Sequence, residues 1–163
     1  MSELLRSAIA FVLCLWMTPL WWEDGQTRKV HRCYLARKLK EIGWNRWNVN
    51  NFLCVADFVS GMEMNLSKAR SRGQRCVGIF QIPSKFYCFD KFVPGIRNGK
   101  CHALCSSFLD EDLEDDVMCA SYIRWQYGFQ FWHGWERHCR QKALHGLLDG
   151  CDVQIKPGQW HYW

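Results

Sequence analysis

Residues 76–88 read CVGIFQIPSKFYC, and this stretch says most about the fold. β-Branched and aromatic side chains dominate its first half, which predicts a strand over residues 76–82. The Ser71–Gly73 segment before it has a turn-like composition, so the strand is expected to follow a tight connection. Because the stretch begins and ends with a cysteine, its place in the fold depends on how the disulfides pair.

Amphipathic helices are predicted on both sides of this strand. Residues 29–43 carry apolar side chains at helical spacing and end in a glycine. Residues 50–60, NNFLCVADFVS, repeat the pattern behind an asparagine that is predicted to cap the helix. A third helix is predicted over about residues 113–125. FWHGWERHC, residues 131–139, supplies a last helical turn that is rich in aromatic side chains.

The start of the chain has the features of a secretory leader. Arg6 precedes the apolar run AIAFVLCLWM, residues 8–17, which is too short to span a bilayer but matches the length of a signal-peptide core. We therefore predict a signal peptide over about residues 1–25 and a secreted, extracellular protein. A retained signal anchor is the alternative, because no clean small-residue cleavage pattern follows the run.

The composition is that of a folded, basic protein. Hydrophobic residues make up 48% of the chain, which excludes intrinsic disorder. Removal of residues 1–25 leaves 20 basic and 13 acidic residues, a formal charge of +7. This charge suits attraction to anionic surfaces such as bacterial envelopes, and equally suits a soluble monomer. The basic residues are scattered outside any nucleic-acid-binding motif, so we expect neither a nucleic-acid partner nor stable membrane insertion after signal removal.

Nine cysteines follow the leader. In a secreted chain this density predicts a disulfide framework. A zinc site is the competing interpretation, but CHALC at residues 101–105 has no matching second cysteine pair. Because the number is odd, one cysteine has no partner among the others, and spacing alone does not identify it.

Together, these segments resemble the animal-type (c-type) lysozyme and α-lactalbumin family, glycoside hydrolase family 22. KVHRC at residues 29–33 is close to the family's mature start, and VGIFQIPS with KFYC resembles its strand and the segment after it. CHALCSS, VMCA and FWHGWERHC match as well. The resemblance implies a lysozyme-like α+β domain over residues 29–151, with a helical lobe, a small antiparallel β lobe and a cleft between them. Residues 152–163 form an aromatic C-terminal tail.

The resemblance also implies four disulfides. The implied pairs are Cys33 with Cys151, Cys54 with Cys139, Cys88 with Cys105, and Cys101 with Cys119. Each is expected to contribute roughly 2 to 4 kcal/mol. Cys76 is then left over, and it is interpreted either as a small buried hydrophobe or as a reactive thiol beside Arg75.

The family's catalytic positions are vacant in this chain. Glycoside hydrolysis, for which lysozyme is itself the type case, needs one carboxylic acid and a second carboxylate flanking the sugar. The resemblance places the acid at Val59 and the second carboxylate at Cys76. Neither side chain supplies that chemistry, so no catalytic residue is predicted. A relocated pair would have to use Asp57 or Glu63.

The resemblance assigns parts of a sugar cleft. The implied cleft residues are Gln81, Pro83, Phe86, Tyr87, Phe131 and Trp132. Phe86 and Tyr87 stand where many lysozymes carry tryptophans, whereas Trp135 is assigned to the core. Pro83 lacks the backbone N–H with which the family holds an N-acetyl carbonyl, which is expected to weaken chitin-type ligands ten-fold or more.

An acidic segment, SFLDEDLEDDVMC at residues 107–119, resembles the calcium loop of α-lactalbumin and of calcium-binding lysozymes. The implied ligands are the side chains of Asp110, Asp115 and Asp116 and the carbonyl groups of Ser107 and Asp112. Hard oxygen donors in this number suit Ca²⁺, which we expect to be structural. The alternative is a loop that only places negative charge at a helix N-terminus.

The vacant pair on an intact framework favours a non-enzymatic protein that binds a glycoconjugate or a cell-surface protein, for example on a gamete or a microbe in defence. One alternative is a weak muramidase with a relocated carboxylate. Another is an α-lactalbumin-like modifier of a glycosyltransferase, although the partner-binding pair of α-lactalbumin aligns with Asp57 and Phe58 here. Asn65 begins an N-glycosylation sequon.

Overall fold

The computed structural model describes residues 27–70, 74–91, 94 and 99–152. The expected signal peptide, the turn-like residues 71–73 and the aromatic tail from residue 153 onward lie outside these ranges. Within them, no helix is long and apolar enough to cross a membrane.

Helices make up most of the described chain. The α-helices are α1 (Arg32–Glu41), α2 (Arg46–Ser60), a short α3 (Ser84–Tyr87) and α4 (Glu114–Tyr127). Turns of 3₁₀ helix span Cys105–Leu109, Phe129–Phe131 and His145–Leu148, and a π-helical turn spans Glu136–Arg140. The helices predicted over residues 29–43 and about 113–125 are confirmed to within three residues at each end. The last helical turn predicted within residues 131–139 is also present.

The start of α2 differs from the prediction. The sequence predicts an asparagine cap directly ahead of Phe52, but the cap is Asn45, whose side chain accepts a hydrogen bond of 3.0 Å from the Asn48 N–H. The prediction was wrong because Asn48, Asn50 and Asn51 are buried. Buried polar residues interrupt the apolar pattern by which the first turns of a helix are recognised.

Two small sheets form the β lobe. Strands β1 (Ser67–Ala69), β2 (Arg75–Val77) and β3 (Ile82–Pro83) make an antiparallel sheet in that order. After α3, strand β4 (Cys88–Phe89) pairs in parallel with β5 (Ala103–Leu104).

The continuous strand predicted over residues 76–82 is interrupted by a turn. Gly78 has φ +75° and Gln81 has φ +50°, both in the left-handed region. A Cβ at Gly78 would collide with the Phe108 carbonyl group and come within 2.6 Å of an Asp116 carboxylate oxygen. This close approach of the acidic loop requires a glycine here, and the chain must leave the strand conformation.

The core is built around Phe52 of α2. Its ring packs against Phe129 at 4.9 Å, Phe80 at 5.7 Å and Trp132 at 6.1 Å between centroids, mostly edge to face. Because these partners come from both lobes, one aromatic cluster fixes the position of the β lobe against the helices.

The disulfides pair as the resemblance implied. The bonded pairs are Cys33–Cys151, Cys54–Cys139, Cys88–Cys105 and Cys101–Cys119. Cys76 is free and buried. The fold is therefore the expected α+β arrangement with one cysteine outside the disulfide framework.

Candidate functional site

The family resemblance places Val59 and Cys76 at the centre of the cleft between the two lobes, which is called the groove below. Val59 lies near the end of α2, is half-buried and packs against the core. Cys76 is the middle residue of β2 and is only 3% exposed. These two positions therefore hold a half-buried aliphatic group and a buried thiol.

A lysine joins these two residues. Lys68 of β1 is directly opposite Cys76 in the β1–β2 register, so both side chains lie on the same face of the sheet. The Lys68 ammonium group donates a 2.9 Å hydrogen bond to the Val59 carbonyl oxygen. No described carboxylate forms an ion pair with Lys68. No sequence pattern pointed to Lys68, because the register of so short a strand cannot be read from sequence.

The two alternative carboxylates lie elsewhere. Asp57 is exposed and precedes Val59 by two residues, which turns it roughly 200° around the helix. Glu63 follows the end of α2 and forms an isolated backbone bridge with Lys29. The structure thus places one on the outer side of α2 and the other beside the first described segment.

The upper end of the groove is filled by side chains of the protein itself. Tyr87 is only 4% exposed, and the ring of Phe131 meets it edge-on at 5.6 Å. Tyr127 lies 6.0 Å from Phe131. The Lys100 ammonium group donates a 2.7 Å hydrogen bond to the Tyr127 hydroxyl and lies 5.7 Å from the centroid of the Tyr87 ring. Phe86, by contrast, is 51% exposed.

These contacts change the acidity of the groups involved. Burial, together with the neighbouring Tyr127 hydroxyl, raises the pKa of Tyr87 to about 12. The hydrogen bond between Lys100 and Tyr127 raises the pKa of the lysine and lowers the pKa of the tyrosine. Sequence reasoning found Tyr87 and Phe131 but missed Lys100 and Tyr127, since each becomes relevant only once the two lobes meet.

The tryptophans support the groove from inside. Trp132 is buried, and its indole N–H donates a 2.9 Å hydrogen bond to the Phe80 carbonyl oxygen. This burial differs from the cleft wall that the resemblance suggested, because the ring packs into the core and offers little surface to a ligand. Trp135 lies in the core as expected, with its N–H donated to Asn51 and its ring stacked on Phe129.

The remaining cleft residues have structural contacts. Gln81 is buried, and its side-chain amide donates hydrogen bonds to the carbonyl oxygens of Leu66 and Gly78, which hold the turn after β2. Pro83 is half-buried and pairs with Cys76 across the β2–β3 register. A ligand at this strand would meet no backbone N–H from Pro83.

The acidic loop contains one strongly constrained carboxylate. Asp116 is 2% exposed, and its Oδ1 has no hydrogen-bond partner among the described residues. Burial raises the pKa of Asp116 well above its usual value, and the negative charges of Asp110 and Asp115 raise it further. A cation would relieve both effects.

Two other candidate calcium ligands of the loop already accept hydrogen bonds from the backbone. An oxygen of Asp110 accepts a hydrogen bond from the Asp112 N–H, and an oxygen of Asp112 accepts one from the Glu114 N–H. Within the described ranges, no three or more histidine, cysteine or acidic residues are grouped closely enough to hold a metal. Asp116 fits a calcium ligand, whereas the full donor set is not assembled.

The best-formed depressions lie outside the groove centre. The larger, about 470 Å³, is lined by residues 130, 132–137 and 141, and the smaller, about 360 Å³, lies on the β lobe around Lys85 and Asp90. Neither is lined by Val59, Cys76 or Tyr87. Asn65 of the sequon is half-buried, and its side-chain oxygen accepts a hydrogen bond from the Arg28 N–H.

Comparison with known proteins agrees with this geometry. A family model described as the C-type lysozyme/alpha-lactalbumin family matches residues 28–151. Lysozyme C-1 of Capra hircus is 35% identical over 126 residues, covering 75% of this chain and 97% of the relative. Lysozyme C, milk isozyme, of Canis lupus familiaris is 33% identical with the same coverage. Sperm acrosome-associated protein 5 of Bos taurus is 31% identical over 132 residues, covering 78% of this chain and 83% of the relative.

Proposed function

The chain belongs to the C-type lysozyme/alpha-lactalbumin family, and from this premise we propose that it is a secreted member that binds a ligand and does not hydrolyse glycans. The observation that carries the proposal is the arrangement of Val59, Lys68 and Cys76 at the groove centre. One relative is named for the sperm acrosome, so not all matched proteins bear the name of the enzyme.

The charge at the reacting centre opposes glycoside hydrolysis. Loss of a general acid alone costs on the order of 10² to 10⁴ in rate. The second carboxylate of a glycosidase offsets the positive charge that develops on the sugar. Here Lys68 brings a positive charge to the same region, hydrogen-bonded to Val59 and opposite Cys76. A like charge destabilises the transition state that a carboxylate would stabilise.

Lysis of bacterial cell walls, followed by turbidity, tests this proposal. The oxidised mature protein is expected to give no clearing at concentrations at which an active lysozyme clears the suspension. Asp57→Asn and Glu63→Gln are the matched variants for the alternative of a weak muramidase. Clearing that either substitution abolishes would establish a relocated carboxylate and overturn the proposal.

We also propose a structural calcium ion in the acidic loop. The side chains of Asp110, Asp115 and Asp116, with the carbonyls of Ser107 and Asp112, would hold it. The unpartnered, buried Asp116 oxygen supports this site. The loop would have to adjust to gather the remaining donors, since the described residues do not form a metal-holding group. When bound, the ion would supply positive charge to the loop and play no part at the groove centre.

Secretion and the class of ligand complete the proposal. Disulfides persist in an oxidising compartment, so the four of this chain support an extracellular protein, which we propose to be a monomer. Detection of a processed N-terminus near residue 25 in the culture medium of cells that express the full chain would test the leader. A glycan array probed with the mature protein would separate a glycoconjugate ligand from a protein surface. An α-lactalbumin-like role has no supporting contact here, because Asp57 and Phe58 replace the partner-binding pair.

A further inference from the structure

Four side chains join the two lobes across the upper groove, and we name them the interlobe latch: Tyr87 and Lys100 from the β lobe, and Tyr127 and Phe131 from the helical lobe. The Lys100–Tyr127 hydrogen bond and the edge-on contact of Phe131 with Tyr87 both cross between the lobes. The latch therefore connects the two walls of the groove directly.

The backbone holds Lys100 in position over the groove. Its N–H donates a 2.9 Å hydrogen bond to the Phe86 carbonyl oxygen, and the next residue, Cys101, donates to the Tyr87 carbonyl oxygen. Gly99 has φ +56°, and a Cβ there would lie 2.6 Å from the Tyr87 carbonyl oxygen. The disulfide between Cys101 and Cys119 then ties this segment to α4.

The latch covers the aromatic surface on which a sugar could stack. Stacking requires an open ring face, but Tyr87 is 4% exposed beneath Phe131 and Lys100. Its neighbour Phe86 remains 51% exposed, so burial is specific to the residue that the latch engages. The Tyr87 side chain lines neither of the two pockets described above.

We infer that the interlobe latch closes the upper groove from within and excludes an extended glycan chain, so that the protein does not bind a polysaccharide along its groove. The inference deepens the proposed binding function, and it rests on that proposal because it assumes that the protein binds a ligand. Two independent features then oppose the binding of a glycan chain. The latch blocks the upper groove, and Pro83 lacks the backbone N–H that would donate a hydrogen bond to the glycan.

The test separates these two features by titrating chitotetraose into the mature, oxidised protein in a calorimeter. Pro83→Asn restores the backbone N–H while the latch stays closed, and this variant is expected to bind no better than the unmodified protein. Adding Tyr127→Ala and Phe131→Ala opens the latch and is expected to raise the affinity at least ten-fold. Equal affinity with the latch closed and open, whether strong or undetectable, would overturn the inference.

A second variant guards against a folding defect, because Phe131 is partly buried. Lys100→Ala with Tyr127→Ala removes only exposed side chains and is expected to change the affinity in the same direction by a smaller factor. Trp125→Ala is the matched control, since Trp125 is a 69% exposed aromatic residue of α4 outside the latch. It is expected to leave chitotetraose binding unchanged, and an equal gain from Trp125→Ala would contradict a specific latch.

An independent readout reports the latch without any ligand. Opening the latch exposes the Tyr87 hydroxyl, so the pKa of Tyr87 is expected to fall from about 12 toward the ordinary tyrosine value of 10.0. An ultraviolet titration of the tyrosines measures this change. No shift in the late-titrating tyrosine would show that the latch does not cover Tyr87. These experiments measure binding and ionisation, so a negative result overturns only the inference about the latch. Cell-wall lysis is a separate measurement, and lysis would overturn the proposed function itself.

Discussion

The ammonium group of Lys68 donates a 2.9 Å hydrogen bond to the carbonyl oxygen of Val59, the residue that the resemblance places at the position of the family's catalytic acid. A positive charge therefore stands beside the backbone from which an acid side chain would project. This relationship adds to the proposed absence of catalysis, because the local charge is opposite in sign to that of the carboxylates that the resemblance implies at these positions.

Val59→Glu is expected to introduce a carboxyl group whose pKa is too low for a general acid. An opposite charge within about 4–6 Å lowers a carboxyl pKa by about 1 to 3 units, and partial exposure favours the lower end of that range. Comparing Val59→Glu alone with Val59→Glu in a Lys68→Met background, by NMR titration, should show a higher pKa once the lysine is removed. Identical titration curves in the two backgrounds would contradict the electrostatic argument.

Cys76 is expected to behave as a buried apolar residue and not as a reactive thiol. It is 3% exposed and lies between β1 and β3. Ellman's reagent should react with the native protein at least about a hundred-fold more slowly than with protein in guanidinium chloride, where one thiol should appear. Rapid, complete reaction of the native protein would support the reactive interpretation. Cys76→Ala is the control, and it should show no thiol in either state.

Calcium is expected to raise the melting temperature. A ligand present at a hundred times its dissociation constant stabilises the folded state by about 2.7 kcal/mol, which corresponds to about 10 °C in a domain of this size. Scanning calorimetry in EDTA and in millimolar calcium measures the difference. An unchanged melting temperature would rule out the proposed ion.

Two variants sharpen the calcium experiment. Asp116→Asn should abolish the calcium response and raise the melting temperature in EDTA, because it replaces a buried carboxyl group whose ionisation is opposed by burial with a neutral amide. Glu111→Gln is the matched control: Glu111 belongs to the same loop but is exposed and ion-paired with Arg28 at 3.3 Å. It should keep the full calcium response.

The sequence predicted those parts of the fold that depend on local pattern or on the cysteine framework. The first and third helices followed from apolar spacing, and the four disulfides followed from the family resemblance. The assignment of Val59 and Cys76 to the family's catalytic positions stays a prediction from the resemblance. The start of α2 could not be predicted, because three buried asparagines interrupt the apolar pattern of its first turns.

The parts of the site that the sequence did not reveal depend on distant contacts. Lys68 meets Cys76 only through the β1–β2 register, and Lys100 meets Tyr127 across 27 residues of chain. The break in the strand at Gly78 reflects the approach of Asp116, which also lies far away in sequence. Periodicity describes one segment at a time, so it carries no information on such pairs.

The raised pKa of Tyr87 predicts a loss of stability at alkaline pH. Because the pKa is about 12 in the folded protein and about 10 in an unfolded chain, the folded state binds more protons between these values. Stability from this residue is therefore complete below pH 10 and falls as the pH rises toward 12. Ionisation of Tyr127 has the opposite effect on stability, because its hydrogen bond with Lys100 lowers the pKa of Tyr127 in the folded protein.

Denaturant unfolding at pH 9, 10 and 11 measures this dependence, in a Cys76→Ala background that prevents disulfide exchange at high pH. Tyr87→Phe should remove a decline of roughly 1 to 2 kcal/mol, a range that allows for solvent near the hydroxyl. Tyr34→Phe, which changes a tyrosine outside the latch, should leave the decline in place. If Tyr87→Phe declined as steeply as the parent, Tyr87 would not be the buried hydroxyl that couples stability to pH, and the close packing of the interlobe latch around it would be in question.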